Sequence, residues 1–479
     1  MIPKPMRFEG RNAGRRGRTL IVSLLVLAAL GLSVGCSGPR WAGPPTVILI
    51  VVDTLRADHL SQYGYERSTS PALAQFSAQS TLFSAAYSTS SWTQPSVASL
   101  FTGLLPARHG VVRQSTILPA ELDTLAGLLA EGGWQTVGFS GNLFIGAKTG
   151  FDRGFEHFEG HEGKVLAYPD AGEMLDRLSS WLEARRNRGK PTFLYFQPMN
   201  CHGPYRVPAE RRSDLLARDP TGVFDYNDEL MTAILKDGDI DARQRVTPEY
   251  LTSLTDQYDT AVRYSMEVVG ALLKRLRQEG LYQDSLIIVT SDHGEELFDH
   301  GGFGHGYSLF EEVVRVPLWI KVPRQREGAK VELPVSLVDL LPTILEVVGV
   351  ERLASDLNLD GRSLAPLLTG ATQAPGFRAR PIVMDTRWKS RAVASAIRRG
   401  SYKLIEVESD YQGRSNVRLL FDLASDPVER VDLSAREPDK VAALSSALDR
   451  VLELRPRGPE AQSATDLDVD VLRALGYMD

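Results

Sequence analysis

The chain has 479 residues, 43% of them hydrophobic, enough to bury a large core and to fill roughly two to three domain-sized units. A formal net charge of −6 leaves no basic footprint for a nucleic-acid partner. With only two cysteines, Cys36 and Cys201, no disulfide framework can be built, and the fold must be held by its core.

Residues 1–36 read as a targeting segment. Lys4, Arg7, Arg11, Arg15, Arg16 and Arg18 form a basic start, and Leu20 to Val34 is an apolar run too short to span a bilayer comfortably. It ends at Gly35-Cys36-Ser37, which resembles a bacterial lipoprotein cleavage site with Cys36 as the lipidated residue; an uncleaved N-terminal anchor is the alternative. Either way the remainder is expected in the cell envelope, outside the cytoplasmic membrane, at the periplasmic face or cell surface.

From Thr46 to about Val350 apolar strands alternate with amphipathic helices, the pattern of an α/β fold whose mostly parallel sheet is covered by helices on both faces. Thr46 to Val52 is a continuous β-branched run, as in a strand buried on both faces, and delivers Asp53 at its carboxyl end. Pro71 to Ser80 reads as a helix. In Thr89 to Gly110 a short apolar helix begins at Thr93, with Pro95 and Ser96 in its first turn, and Gly103 and Pro106 stop it. A hydroxyl there sits among unpaired N–H groups at the positive end of the dipole, which favours an oxyanion; an ordinary capping residue is the alternative. Leu122 to Gly132 is a helix, Trp134 to Ser140 a strand ending at Gly141-Asn142, Ala171 to Arg186 a helix, and Thr192 to Pro198 a strand. Arg206 to Arg245 is polar and acidic, an insertion that could be a lid or a solvated face. The long helix Pro248 to Glu279 turns Val262, Met266, Val269 and Leu273 inward.

Ser285 to Thr290 is a second buried strand and delivers Asp292 and His293. Because ligands gather at the carboxyl ends of strands in open α/β sheets, both tips are expected to share one crevice with Thr93. Asp53, Asp292, His293 and Thr93 would make a mixed O/N set for one divalent ion, favouring Mn or Zn, with Ca and Mg also open. Val316 to Val322 is a strand, Leu337 to Val348 a helix, and Gly370 to Pro381 a linker. Beyond it, Ala392 to Ile397 and Tyr402 to Glu408 read as antiparallel strands joined by Leu419 to Asp422, with the helix Pro438 to Leu454 covering them. The expected division is a catalytic domain over residues 45–370 and a small α+β domain over residues 376–479.

These blocks together resemble the sulfatase family of the alkaline-phosphatase superfamily. The family signature, Cys or Ser, any residue, Pro-Ser-Arg and then Ala-Ser-Leu-Leu-Thr-Gly, stands here as Thr93-Gln94-Pro95-Ser96-Val97-Ala98-Ser99-Leu100-Phe101-Thr102-Gly103. VVDTLRADHLSQYGY, TSDHGEELFDHG, EEVVRVPL, VSLVDLLPT and LLFDLASDPVERVDL follow the order of family blocks. The resemblance implies that His202, in a His-x-Pro block, is a substrate-binding imidazole. It also implies that His305 contacts substrate or helps the leaving group, standing where sulfatases have a Lys. His300 joins them as a candidate substrate contact, with less support.

Three departures bear on chemistry. Thr93 replaces the Cys or Ser that sulfatases convert to formylglycine, and Val97 replaces the signature Arg; a second Asp after Asp53 is also absent, being Thr54. An unmodified Thr cannot expel sulfate by re-forming an aldehyde, so the resemblance implies in-line attack of Thr93 on a phosphate ester more than on a sulfate. Sulfuric ester hydrolysis and phospho-group transfer to an envelope glycan or lipid are the alternatives, and a non-catalytic binding protein has less support. The expected partners are a small-molecule, glycan or lipid ester and, through the lipid anchor, a membrane.

Overall fold

The computed structural model describes Met1 and residues 45–114, 116–161, 168–185, 189–211, 224–226, 228–234, 240–370, 375–388, 392–409 and 414–453. The targeting segment with Cys36 and much of the 206–245 insertion lie outside the described residues. Among the described residues no helix is long and apolar enough to cross a membrane.

The centre of the molecule is a nine-stranded sheet. Its strands are β1 (Val47–Val51), β2 (Thr81–Tyr87), β3 (Gln135–Ser140), β4 (His157–Glu159), β5 (Thr192–Gln197), β6 (Leu286–Thr290), β9 (Arg315–Lys321), β10 (Ala329–Val331) and β11 (Val335–Ser336). A separate two-residue pair, β7 (Glu296–Leu297) with β8 (Phe303–Gly304), follows β6. The path runs β10-β2-β9-β6-β1-β5-β3-β4, with β11 also on β2. Strands β6, β1, β5, β3 and β4 are parallel neighbours, and β9 is antiparallel to both β6 and β2. β1, β5 and β6 are buried along their whole length, which is why they read as unbroken apolar runs. Because β6, β1, β5 and β3 point the same way side by side, the residues that follow them emerge in one row.

α1 (Thr93–Thr102) begins after an extended Trp92 with no side-chain cap, and ends at Gly103, whose left-handed φ of +68° suits glycine. Thr124 caps α2 (Leu125–Glu131), Asp170 caps α3 (Ala171–Ala184), and Thr247 caps α4 (Pro248–Gln278), in each case by accepting a backbone N–H. α4 buries Val262, Met266, Val269 and Leu273 as the periodicity predicts. Each such side chain adds ~1.5–3 kcal/mol of transfer free energy. α5 (Leu340–Val348) follows a short 3₁₀ turn at Leu337–Asp339.

The helix expected over Pro71 to Ser80 is only a 3₁₀ turn, Pro71–Leu73, and one short turn, Ala74–Ser77, because the chain must enter β2 at Thr81. The C-terminal antiparallel sheet has four strands in sequence order: β12 (Ile382–Trp388), β13 (Ala392–Arg399), β14 (Tyr402–Ser409) and β15 (Ser415–Asp422). α6 (Pro438–Glu453) packs Val441, Leu444 and Leu448 against Ile397, Leu404 and Leu420 of that sheet. Lys403 of β14 is fully buried between Glu311 and Glu429, at 3.0 and 2.9 Å.

Candidate active site

Four strand tips converge on one buried polar cluster. β1 delivers Asp53, β6 delivers Asp292 and His293, β3 is followed by Asn142, and β5 ends at Gln197. α1 adds Thr93 from the side, and all six side chains are buried. Thr93 Oγ1 lies 3.2 Å from His293 Nε2 and 3.5 Å from Asp53 Oδ2. The first turn of α1 is tied to the β6 tip by the Ser96 hydroxyl, which donates to the Asp292 carbonyl at 2.6 Å. Next to Asp53 the chain makes a strained turn: Thr54 has φ +55°, and its N–H donates to Asp292 Oδ1 at 3.3 Å.

The donor set fits a divalent cation. Asp53, Asp292 and His293 each offer a ligand atom within 4.8 Å of the others. Asp53 Oδ2 accepts from Asn142 and Gln197 at 2.8 and 3.2 Å, while Oδ1 is buried without a hydrogen-bond partner. Asp292 Oδ1 accepts from two backbone N–H groups, while Oδ2 is likewise unpartnered. His293 Nδ1 is engaged by the Gly294 carbonyl at 2.8 Å, which fixes the proton there and leaves the Nε2 lone pair facing the carboxylates. Two unpartnered carboxylate oxygens and one imidazole lone pair, buried together, leave a shortage of positive charge that a cation relieves.

Electrostatics tell the same story. Burial, then the neighbouring Asp292 charge, pushes Asp53 up to about 7; burial also pushes Asp292 up to about 7. Burial, then His305, lowers His293 to about 3, which keeps it a neutral ligand.

Beyond this cluster stand two further imidazoles. The His305 ring lies 4.6 Å from that of His293 and 4.9 Å from that of His202. His305 Nδ1 is 3.2 Å from Glu295 Oε1, and burial pushes Glu295 up to about 7 while it holds His305 well below its ordinary value. His202 Nδ1 is engaged by the Gly203 carbonyl at 2.7 Å. His300 is placed differently: Nδ1 pairs with Glu312 at 2.6 Å, Nε2 with the Glu429 carbonyl at 3.1 Å, and the ring stacks on Phe310. These contacts join His300 to the Glu311–Glu429 region rather than to Thr93.

Sequence reasoning assigned no role to Asn142, Gln197 or Glu295. Asn142 Nδ2 donates to Asp53 at 2.8 Å and lies 3.3 Å from Thr93 Oγ1. Gln197 is itself held by Ser140 and Tyr195 hydroxyls donating to Oε1 at 2.9 Å each. The available signal was position: Gln197 is the last residue of an apolar strand and Asn142 lies two residues past another, as Asp53 lies two past β1.

The family model described as Sulfatase matches residues 45–350, and one described as N-sulphoglucosamine sulphohydrolase, C-terminal, matches residues 299–455. Arylsulfatase K of Mus musculus is 26% identical over 475 residues, covering 90% of this chain and 84% of that one. Two solved structures share the fold. One, in complex with its substrate D-glucosamine-2-N,6-O-disulfate, has a TM-score of 0.70 at 19% identity and covers 86% of this chain and 99% of its own. The other, the phosphonate monoester hydrolase of Agrobacterium radiobacter, has a TM-score of 0.66 at 24% identity, with 86% and 95% covered.

Proposed function

From the premise that this chain belongs to the sulfatase family, an alkaline-phosphatase-like family of sulfuric and phosphoric ester hydrolases, we propose that it hydrolyses phosphate esters by in-line attack of Thr93. The observation that carries the reading is the position of Thr93 Oγ1, 3.2 Å from His293 Nε2 and 3.5 Å from Asp53 Oδ2 at a helix start. Asp53, Asp292, His293 and Thr93 would hold the divalent ion, Mn or Zn by its mixed O/N set, which lowers the pKa of a bound hydroxyl and neutralises a non-bridging oxygen.

The chain's own groups do the rest. Thr93 Oγ passes its proton to Asp53 Oδ2, the oxygen 3.5 Å away that it donates to, and forms the bond to phosphorus while the bond to the leaving oxygen breaks opposite it. Asn142 Nδ2, 3.3 Å from Thr93 Oγ1, is aimed to donate to a non-bridging oxygen. His202 steadies the oxygens, and neutral His305 hands the leaving oxygen the proton on Nε2 while Nδ1 takes one from Glu295, whose carboxyl burial raises to about 7. Water then attacks phosphorus, the bond to Thr93 breaks, and the Thr93 oxygen takes a proton back. Thr93 carries one hydroxyl and a methyl on Cβ, so release depends on this water rather than on an aldehyde.

A second reading, sulfate ester hydrolysis, is favoured by the arylsulfatase name of the curated relative. The segment ending at Cys36 would anchor the enzyme through lipid outside the cytoplasmic membrane. The test is Thr93→Ala, assayed beside wild type on aryl phosphate mono- and diesters and on aryl sulfate. Loss of turnover with retained fold and bound metal, and wild-type preference for phosphate, is expected. Near-wild-type hydrolysis by Thr93→Ala removes the nucleophile, and preference for sulfate selects the second reading.

A further inference from the structure

The C-terminal sheet reaches the site through β12, and one hydroxyl of that strand bonds two loops of the site at once. Thr386 of β12 is fully buried. Its Oγ1 accepts from the Ser91 hydroxyl at 2.8 Å and donates to the Gly306 carbonyl at 2.9 Å. The Gly306 N–H in turn donates to the Ser91 carbonyl at 2.8 Å, which closes a ring of hydrogen bonds through three separate segments. One residue back along β12, the Asp385 N–H donates to the Thr89 carbonyl at 2.9 Å and fixes the same loop again.

Two of the three corners of this ring lie beside working residues. Ser91 is two positions before Thr93, and Gly306 follows His305 directly. His305 sits between two left-handed glycines, Gly304 at φ +88° and Gly306 at φ +87°, a backbone with little stiffness of its own. A Cβ on Gly306 would stand 2.8 Å from the Trp388 ring, so glycine is required where the loop crosses β12. Rigidity must therefore come from outside the loop. Glu295 holds the imidazole at Nδ1, and the Ser91–Thr386–Gly306 ring holds the backbone. Hydrogen bonds this deeply buried cannot be exchanged for water when one partner is removed.

We propose that Thr386 is a positioning residue for His305: by clipping Gly306 to Ser91 it sets the placement of the imidazole relative to Thr93. The active site is on this account assembled across both sheets. The inference rests on the reading of His305 as the group that serves the leaving oxygen.

The test is a double-mutant cycle on the full chain with its metal. Thr386→Val, Thr386→Ser, Ser91→Ala, His305→Ala and the double variant Thr386→Val/His305→Ala are assayed on 4-nitrophenyl and phenyl esters of phosphate and on 4-nitrophenyl sulfate. The ester that wild type turns over best serves as reference. A displacement near 1 Å costs about 100-fold in rate, so Thr386→Val should lower kcat about 10- to 100-fold, with KM and metal content unchanged. The loss should be greater for phenyl than for 4-nitrophenyl esters, because the poorer leaving group needs the proton more. Thr386→Ser should restore turnover, Ser91→Ala should reproduce the Thr386→Val result from another corner, and the double variant should be no slower than His305→Ala. Wild-type kcat in both Thr386→Val and Ser91→Ala, or losses that multiply with that of His305→Ala, would overturn the proposal. Unimpaired His305→Ala, or a wild type that turns over none of these esters, would instead overturn the functional reading beneath it, and the proposal with it.

Discussion

Stripping the cation should leave a protein whose stability falls as pH rises. Asp53 and Asp292, each raised from 3.8 to about 7, then face each other with two unpartnered oxygens. A carboxyl whose folded value lies above its unfolded value stabilises the fold in its protonated form. That contribution is complete below about 4 and is lost as pH climbs through about 7. At ~1.4 kcal/mol per tenfold change in the proton equilibrium, the rise corresponds to ~4 kcal/mol for either group taken alone. With an unfolding entropy of ~2.1 cal/mol/K per residue, a chain of this length loses about 1 °C per kcal/mol, so ~4 °C is at stake. A divalent ion at a hundred times its dissociation constant returns ~2.7 kcal/mol. Burial also raises Glu295, Glu296 and Glu429 to about 7, so the informative comparison is with Asp53→Asn, which removes one titrating group and one ligand. Scanning calorimetry between pH 5 and 8, with chelator and then with Mn or Zn, should show wild type losing more Tm than Asp53→Asn across that range. Wild type alone should regain it on adding the ion. Identical pH profiles in the two proteins, or an equal gain from the ion in both, would refute the assignment of these carboxylates to a metal centre.

Two further outcomes follow from the geometry. Asn142→Ala should lower kcat about 100-fold or more, as expected when a donor near the reacting oxygen is lost. Metal affinity should fall as well, because Asn142 holds the ligand Asp53 at 2.8 Å, so kcat is read at saturating ion, where the loss should persist. Lys403→Met removes the cation shared by Glu311 and Glu429 and should cost ~3–5 kcal/mol, because two buried carboxyls lose their partner. Urea unfolding measures it, and unchanged midpoints would mean that the pair is better solvated than its burial indicates.

What could be read from the amino-acid order depended on whether chemistry left a mark on single residues. β1 and β6 were legible because burial on both faces demands unbroken apolar runs, and the acids that end them stand out against those runs. β2 was not, since Ser84, Ala85 and Ala86 dilute a strand whose identity comes from pairing with β9, β10 and β11. β12 was missed for a related reason: it begins directly after a stretch rich in Pro and Gly, and a linker was read up to Pro381. Asn142 and Gln197 matter through what they donate to, and an amide at a strand end looks no different from one in any turn. Thr386 lies at the far limit of this difficulty, because its three-cornered ring joins positions more than two hundred residues apart.

Thr54 stands where a third acid could have stood, and it contributes a backbone N–H instead of a side-chain charge. On the proposed function, two ionised aspartates against a doubly charged ion would leave the ligand shell electroneutral until Thr93 ionised. An approaching anionic ester would then meet no repulsive ligand field, and the choice among substrates would pass to the amide and imidazole hydrogens that line its path.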